Sequence, residues 1–306
     1  MLHLGRLHLL HELSVLGTIS AVAEAMHLTR PAVSQQLALL EEELETVLFE
    51  RSGRSVELTP AGRRLVARAA ELFELVEDIE AELAAANTQI SGDIRLSAFG
   101  SLASTVVPHA IARLANEHPQ LNVSIQELEP ADGLKAAASK KMDLAVVDDL
   151  VSAGNLATLL EFHPLCTDHF EAVVAADHKL AGKRSIQLSE LAHERWALNQ
   201  TAVTYYDFLL NAFHAAGFTP RVMSSCRNMS ATLEIVRTGC AVSVLPQLAL
   251  KAISNDPDFS TIPIRPILNR RIFVALPKGA ARRPAVRAVL NALEAAVPPE
   301  AALTAS

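Results

Sequence analysis

The sequence predicts an α/β protein that consists of a helical head, one long helix and a larger part in which strands and helices alternate. Two observations lead to this fold class. Apolar residues recur at helical spacing through the first 87 residues, and short apolar strands alternate with helical stretches from Asp93 onward. A chain of 306 residues, half of them apolar, is long enough for two or three domains with sizeable cores.

The head is predicted to begin with three short helices. Leucines recur at three-residue steps from Leu4 onward, and Gly17 supplies a left-handed stop. Thr18 and Thr29 are placed to cap the second and third helices. Pro31 falls in the first turn of the third helix, where its missing N–H costs nothing. Two capped helices joined by a tight turn match the helix-turn-helix arrangement.

The third helix has one apolar and one polar face. The apolar stripe consists of Val33, Leu37, Leu40 and Leu44. Arg30, Ser34 and Gln35 lie on the other face near the start of the helix, and Gln and Arg can form paired hydrogen bonds with adenine or guanine edges. A small helical bundle with a polar surface is the alternative interpretation of this pattern.

A short strand-like run, SVEL, is flanked by Arg51 and Arg54 and predicts a two-stranded wing that carries arginines near phosphate. The formal net charge of the chain is -7, yet within residues 51–68 five arginines face only Glu57. Phosphate contact depends on where the cations lie rather than on the total. The negative total therefore does not exclude a nucleic-acid partner.

Thr59 and Pro60 begin a long helix with a cap and a first-turn proline. Its apolar residues follow a regular heptad seam, which consists of Leu65, Ala69, Leu72, Val76, Ile79 and Leu83. Such a seam is typical of a helix that pairs with a second helix, and it predicts a coiled-coil dimer. A lone amphipathic helix on a globular core is the alternative.

Strands and helices alternate through the rest of the chain. Candidate strands lie at 94–98, 122–127, 143–147, 170–176, 196–199, 222–226, 241–246 and 272–277, and candidate helices lie near 104–117, 130–140, 204–216, 229–238 and 284–296. This alternation predicts mostly parallel sheets with helices on both faces, and such sheets bind ligands at the carboxyl ends of their strands. The tail, residues 298–306, is polar and expected to be disordered.

The sequence lacks the motifs that are typical of several classes of enzyme and metal-binding protein. The sequence has no P-loop, G-x-S-x-G, dinucleotide fingerprint or metal-ligand spacing, so no catalytic residue, metal or cofactor is predicted and the protein is not expected to be an enzyme. Three cysteines without C-x-x-C spacing suggest neither a disulfide framework nor a zinc site. Without an apolar run of about 18 residues or a secretory leader, we expect a cytoplasmic protein that does not cross a membrane.

The string TISAVAEAMHLTRPAVSQQLALLEEELETVLFERSGRSVELTPAG closely resembles the amino-terminal pattern of the LysR-type transcriptional regulators. Weaker similarities, LCTDHFEAVVAADHKLA, HAAGFTPRV and VRTGCAVSVLP, follow in the expected order. The resemblance implies three parts: a winged helix-turn-helix at 1–58, a dimerising linker helix at 59–90, and an effector domain at 91–306 that resembles the type 2 periplasmic binding proteins. Its subdomain I would span about 91–163 and 268–297, and subdomain II about 164–267.

Members of this family bind promoter DNA, assemble as homodimers or homotetramers, and respond to a small molecule in the cleft of the effector domain. The resemblance therefore implies double-stranded promoter DNA, a small-molecule effector, further copies of the chain and RNA polymerase as partners. The residues assigned to DNA contact are Thr29, Arg30, Pro31, Ser34, Gln35, Gln36, Arg51, Arg54, Arg63 and Arg64. Ala38 and Leu39 stand where many members have a basic residue, so this helix is expected to make fewer phosphate contacts than is usual in the family.

The resemblance also assigns residues to the effector cleft: Phe99, Gly100, Ser101, Leu102, Asp148, Gln200, Thr201, Val203 and Pro246. Phe99 replaces a hydroxyl residue of many members and suggests an effector with aromatic or apolar character, while the helix start after it favours a carboxylate. Asp148 and Asp149 follow a strand end and would either receive an ammonium group or form a solvated acidic loop.

Two alternatives to an effector-responsive regulator stay open. Cys226 and Cys240 are 14 residues apart in the second subdomain, which leaves room for a thiol-redox-responsive regulator of the same family, although Cys240 is expected in a buried helix–strand turn. A small-molecule binding protein that does not bind DNA is the further alternative.

Overall fold

The computed structural model describes residues 3–26, 28–52, 55–85 and 89–302. The amino-terminal part consists of three helices, a β-hairpin and a long helix. These elements are α1 (Leu4–Leu16), α2 (Ile19–Ala25), α3 (Arg30–Leu44), β1 (Phe49–Ser52), β2 (Ser55–Leu58) and α4 (Pro60–Ala85). The predicted winged helix-turn-helix and the long helix that follows it are confirmed.

The ends of the first helices follow from local sequence signals. Gly17 ends α1 in the left-handed conformation, with a φ of 70°. The Thr18 hydroxyl accepts a hydrogen bond from the Ala21 amide at 3.1 Å and caps α2. The Thr29 hydroxyl accepts one from the Ala32 amide at 3.3 Å and caps α3. Both predicted caps are confirmed.

A single apolar core holds the head together. Leu10 of α1 and Leu37 and Leu40 of α3 are fully buried in it, and the first turns of α4 pack against them. Gly62 permits the close approach of α4 to the hairpin, because a Cβ at this position would overlap the carbonyl oxygen of Leu48. The start of α4 therefore packs against the core of the head.

The larger part contains ten strands and seven helices within the described residues. They are β3 (Gly92–Ala98), α5 (Gly100–Ala103), α6 (Val106–Glu117), β4 (Leu121–Glu127), α7 (Pro130–Ala138), β5 (Leu144–Asp148), β6 (Leu160–Ala175), β7 (Ile186–Gln187), β8 (Arg195–Leu198), α8 (Val203–Ala215), β9 (Arg221–Ser225), α9 (Met229–Arg237), β10 (Ser243–Pro246), α10 (Gln247–Leu250), β11 (Phe259–Arg265), β12 (Asn269–Pro277) and α11 (Pro284–Ala296).

The main sheet has the strand order β4-β3-β5-β12-β6-β11-β7, with β10 also paired to β6, and β8 and β9 form a separate pair. β3 is parallel to β4 and β5, but β12 is antiparallel to both β5 and β6. The expectation of mostly parallel sheets is therefore wrong for the centre of the sheet. The reason is that β6 and β12 are long adjacent strands that run in opposite directions.

β6 connects two apolar cores. Its first half pairs with β12, and its second half pairs with β10 and β11. The first core lies between β3, β5 and β12 and the helices α6 and α11. The second core surrounds the buried Trp196 and Phe213. This division confirms the α/β fold with two subdomains.

The end of the chain is more ordered than expected. Ala301 is buried, and its carbonyl oxygen accepts a hydrogen bond from the Thr167 amide at 3.0 Å. Ala302 pairs with Cys166 in a short antiparallel bridge. The expectation of disorder is thus wrong for residues 298–302, because this segment packs against β6, while residues 303–306 lie outside the described part.

Within the described ranges, the helices lack the combination of length and apolar character that a membrane crossing requires.

Candidate functional site

The first two turns of α3 present a polar surface. Arg30, Pro31 and Gln35 are exposed, and Ser34 is half-buried beside them. Thr29 caps the same end of the helix. Because Val33 and Leu37 on the opposite face are fully buried, the core fixes which side of α3 faces outward. The structure thus brings most of the predicted DNA-contacting residues of this helix together on one surface.

Arg6 of α1 binds two side chains of α3. Its Nε donates a hydrogen bond to Gln36 Oε1 at 3.0 Å, and its Nη1 lies 2.5 Å from Glu43 Oε1. Gln36, a predicted DNA contact, is therefore engaged within the head. Arg6 was not predicted from the sequence, because no motif marks it.

Glu41 joins the end of α3 to the wing. One of its carboxylate oxygens accepts hydrogen bonds from the Leu48 amide at 2.7 Å and the Phe49 amide at 3.3 Å. Backbone amides at the start of β1 are thereby satisfied by a charged acceptor. Glu41 and Glu43 accordingly have structural partners in the head.

Three of the four predicted cations of the wing and α4 lie in β1 or in the first turns of α4. Arg51 is part of β1, opposite Val56 of β2, whereas Arg54 lies outside the described residues. Arg63 Nη1 donates to the Leu58 carbonyl oxygen at 2.6 Å, and Arg64 is exposed in the first turns of α4. Arg63 and Arg64 thus place two of the predicted cations in the first turns of α4, directly after the hairpin in the chain.

The heptad seam of α4 divides into two parts. Leu65 and Ala69 pack into the core of the head. Three further seam residues are exposed: Leu72 at 37%, Val76 at 38% and Ile79 at 51%. The side chain of Leu83 lies outside the described part of the chain. The apolar stripe that a partner helix could cover therefore begins at Leu72.

A buried arginine joins the two subdomains at the centre of the main sheet. Nη1 of Arg270, on β12, lies 3.2 Å from Asp148 Oδ2. Its Nη2 lies 3.0 Å from Asp168 Oδ2 and donates to Ser101 Oγ at 2.7 Å. The other oxygen of Asp168 accepts from the Leu248 amide at 3.1 Å. One guanidinium is thereby connected to β5, β6, α5 and, through Asp168, to α10.

Aromatic rings enclose the guanidinium. It lies 4.5 Å from the ring centroid of Phe99 and 5.4 Å from that of Phe170. Phe170 in turn stacks on Tyr205, with ring centroids 5.7 Å apart, and burial raises the pKa of the Tyr205 hydroxyl. Cations are attracted to aromatic faces, so the rings stabilise the arginine in this position.

Carboxylates outnumber cations around Arg270. Burial raises the pKa of Asp148, and Arg270 opposes this shift. Burial also raises the pKa of Glu129, and the neighbouring Asp148 and Glu127 add to the increase. The expectation that Asp148 belongs to a solvated loop is wrong, because Asp148 is an inward residue of β5 with 4% exposure.

The other predicted cleft residues follow the carboxyl ends of strands, as expected. Phe99, Gly100 and Leu102 form the turn and the short helix α5 after β3, and Phe99 and Leu102 are buried. The predicted helix 104–117 begins only at Val106. Pro246, at the end of β10, lies opposite Phe170 in the sheet.

Gln200, Thr201 and Val203 lie after β8, in subdomain II. The Gln200 side chain donates to the Tyr206 hydroxyl at 3.0 Å, and the Thr201 hydroxyl donates to Asn199 Oδ1 at 2.7 Å. Val203 is 62% exposed. The described hydrogen bonds of Gln200 and Thr201 stay within subdomain II, so these residues are not tied to the Arg270 network.

Arg270 and Asp168 were missed, although the sequence carries a signal for them. Residues 270, 272 and 274 share one face of β12, and Ile272 and Val274 are fully buried. Asp168 lies in the same phase as Phe170 on β6 and directly opposite Arg270. A charge in the buried phase of a strand indicates a buried partner.

The three cysteines differ in how far they are exposed to solvent. Cys166 is buried, which raises the pKa of its thiol to about 12. Cys226 is half-buried, with its Sγ 3.2 Å from Ser224 Oγ, and Cys240 is exposed. The expected burial of Cys240 is wrong, because the turn after α9 lies at the surface. In the described residues, His, Cys, Asp and Glu side chains form no group that could hold a metal ion.

Two family models match the chain in order. The model described as "Bacterial regulatory helix-turn-helix protein, lysR family" matches residues 4–63, and the "LysR substrate binding domain" model matches residues 87–298. The chain belongs to the LysR family. It is a DNA-binding transcriptional regulator with an effector-binding domain, as the sequence resemblance implied.

Curated relatives of this LysR-family regulator cover most of its length. The HTH-type transcriptional regulator CysL of Bacillus subtilis (strain 168) is 24% identical over 229 residues, which are 75% of either chain. A probable hydrogen peroxide-inducible genes activator of Streptomyces viridosporus is 27% identical over 283 residues, 88% of this chain and 89% of the relative.

Solved structures share the fold. A full-length OxyR variant from Pseudomonas aeruginosa superposes with a TM-score of 0.66 at 24% identity and covers 96% of this chain and 98% of its own. The full-length regulator CbnR in complex with its target DNA gives a TM-score of 0.53 at 20% identity, with 95% and 100% covered. LysR-family regulators bind DNA and small-molecule effectors and form oligomers.

Proposed function

We propose that this LysR-family regulator reads promoter DNA with the outer face of the first two turns of α3. Arg30 and Gln35 supply the base contacts, and Arg51, Arg54, Arg63 and Arg64 contact phosphate. The observation that carries the proposal is the division of α3: its start is polar and exposed, while Glu41 and Glu43 near its end bind partners within the head. The acidic residues therefore do not oppose phosphate contact by the first turns.

Alanine substitutions on α3 test this proposal. Arg30→Ala and Gln35→Ala should each weaken specific promoter binding by about 1–3 kcal/mol, because each removes a side chain that can pair with a base edge. Fluorescence anisotropy and footprinting on the promoter fragment at fixed salt measure the effect. Glu42→Ala, an exposed change near the far end of the same helix, is the matched control and should bind as the wild type does. Unchanged footprints for both test variants would contradict the proposal.

We also propose that the effector binds between the subdomains, over a floor that includes Phe99, Ser101 and Asp148. Gly100 belongs to the same turn, the buried Leu102 and Pro246 would lie behind the floor, and Gln200, Thr201 and Val203 would form the opposite wall. The Phe99 ring suits an aromatic or apolar part of the ligand. A carboxylate group on that ligand remains the expectation from the sequence.

A thermal-shift screen of carboxylates, amino acids and aromatic acids tests this site. A ligand that binds the folded protein raises its Tm by mass action, whatever the starting stability. The shift should be lost in Ser101→Ala and kept in Ser104→Ala, which removes an exposed hydroxyl one turn later. Equal shifts in both variants would place the ligand elsewhere.

The assembly belongs to the same proposal. The exposed stripe of Leu72, Val76 and Ile79, continued by Leu83, would pair with the same stripe of a second chain, and two such dimers would form the homotetramer. RNA polymerase is the proposed partner at the promoter, and the cytoplasm is the proposed location. The proposed domain limits are 1–58, 59–90 and 91–306.

A further inference from the structure

The DNA-binding head packs directly against subdomain I of the effector domain, at the end of α7. Val15, in the last turn of α1, packs against the apolar cluster that contains Leu134 and Ala137 of α7. Beside this contact, the Phe73 ring of α4 meets the Lys140 amine, which follows α7 and lies 5.4 Å from the ring centroid. We call this contact between α1, Phe73 and the end of α7 the joint.

The other end of α7 lies at the effector floor. Glu129 is the residue that precedes the helix. Burial raises the pKa of Glu129, the neighbouring Asp148 adds to the increase, and Arg270 opposes it. α7 also contacts β5, the strand whose last residue is Asp148. The start of α7 is therefore in electrostatic and packing contact with the network around Arg270.

Between these two ends, α7 is a short, closely packed helix. Its nine residues extend about 13 Å at 1.5 Å per residue. Gly133 and Leu134 are buried against the sheet, and a Cβ at Gly133 would come within 3.7 Å of Val147, the neighbour of Asp148 on β5. A helix in such packing moves as a unit, by small sliding against its neighbours. A displacement at the floor is therefore carried to the joint.

We propose that α7 couples the effector floor to the DNA-binding head, a role that rests on the effector site and the DNA-reading face proposed above. A ligand that changes the contacts of Asp148 shifts the start of α7, and the end of α7 passes this shift to Val15. Arg30 and Gln35 stay exposed while the head is docked, so the joint orients the reading face without covering it. Because coupling between two binding sites is reciprocal, DNA on the head must also act on α7.

Hydrogen exchange of the full-length protein, with and without the promoter fragment, tests the coupling from the DNA side. In the wild type, DNA should slow exchange severalfold in α3 and also in α7. In Val15→Ser, α3 should still respond, but the response of α7 should be lost, because the contact across the joint is weakened. Val47→Ser makes the same change at a position of the head that is 61% exposed, and it should keep both responses. A wild type in which α3 responds and α7 does not, or an undiminished α7 response in Val15→Ser, would overturn the proposal.

Substitution at the floor tests the same coupling without DNA. Asp148→Asn removes a carboxylate charge that binds Arg270, so the start of α7 loses a restraint and the last turn of α1 should exchange severalfold faster. Asp149→Asn is the matched control, because the Asp149 carboxylate binds the exposed Arg271 instead, and it should leave α1 unchanged. In a Val15→Ser background, Asp148→Asn should have no effect on α1. An effect of equal size in that background would show that the floor acts on α1 by another route and would overturn the proposal.

A second floor variant decides the matter if Asp148→Asn does not fold. Ser101→Ala removes one hydrogen bond of the Arg270 guanidinium and should also speed exchange in the last turn of α1. If α1 responds to the floor variants while α3 does not respond to DNA, the DNA-reading proposal is wrong and the coupling stands. If α3 responds to DNA while α1 does not respond to the floor variants, the coupling is wrong and DNA reading by α3 stands.

Discussion

At the scale of single residues, Arg270 and Arg271 differ in role because they alternate across the faces of one strand. Arg270 is 5% exposed and binds Asp148 and Asp168, whereas Arg271 is 67% exposed and pairs with Asp149 at the surface. The two arginines are adjacent in sequence and both precede the apolar half of β12. Their roles follow from the alternation of β12, because Arg270 shares a face with the buried Ile272 and Val274 and Arg271 points to the other face.

Replacing the two arginines should therefore have unequal effects. Arg270→Gln leaves two buried carboxylates without their cation and should lower the free energy of unfolding by about 3–5 kcal/mol. Arg271→Gln removes an exposed ion pair and should cost at most about 1 kcal/mol. Chemical denaturation of both variants measures the difference. Adding Asp148→Asn to Arg270→Gln should recover part of the loss, because one of the unpaired charges is removed. Equal losses for the two single variants would show that the buried network does not support the fold.

Glu41 gives a second contrast between adjacent residues. Glu41→Ala leaves the amides of Leu48 and Phe49 without their acceptor and should lower stability by about 1–3 kcal/mol. Glu42→Ala changes an exposed side chain and should alter stability by no more than about 0.5 kcal/mol. Thermal unfolding of the two variants is the measurement. If the Tm of Glu41→Ala equals that of Glu42→Ala, the hydrogen bonds from the Leu48 and Phe49 amides to Glu41 do not stabilise the fold.

At the scale of elements, the sequence predicts best what local contacts determine. Thr18, Thr29 and Gly17 set helix ends through bonds to residues a few positions away, and all three act as predicted. The first half of β6 was missed because Glu161, His163 and Asp168 interrupt its apolar pattern. Its pairing with β12 joins residues about a hundred positions apart, and no local signal encodes it. Ser101 and Asp148 were predicted from the sequence, but the arginine that binds both of them, Arg270, was not, because it lies more than a hundred residues further along the chain.

The linker helix allows a prediction about assembly. Ile79→Glu places a charge in the exposed apolar stripe and should shift the full-length protein toward smaller assemblies, because a coiled-coil seam does not tolerate a buried, unpaired carboxylate. Ala67→Glu introduces the same charge at an exposed position outside the seam and serves as the control. Sedimentation equilibrium distinguishes them. If both variants sediment as the wild type does, the dimer forms through another surface.

At the scale of the whole molecule, the negative total charge hides an uneven distribution. The formal net charge is -7, yet Arg30 at the start of α3 and Arg63 and Arg64 in the first turns of α4 are exposed cations. Near the other end of α3, Arg6 pairs with Glu43. The salt dependence of DNA binding therefore depends on a few cations rather than on the total.

Salt titrations of DNA affinity can count these cations. Each phosphate contact contributes about -0.9 to the slope of log K against log salt. Arg64→Gln should thus make the slope shallower by about one contact, whereas Gln35→Ala should lower the affinity and leave the slope unchanged, because it removes a base contact. Arg68→Gln is the matched control, since Arg68 already pairs with Glu71 at 2.7 Å and should change the slope less than Arg64→Gln does. A slope that shifts equally in the Arg64 and Arg68 variants would mean that the general field of the protein, rather than a local contact at Arg64, governs its attraction to DNA.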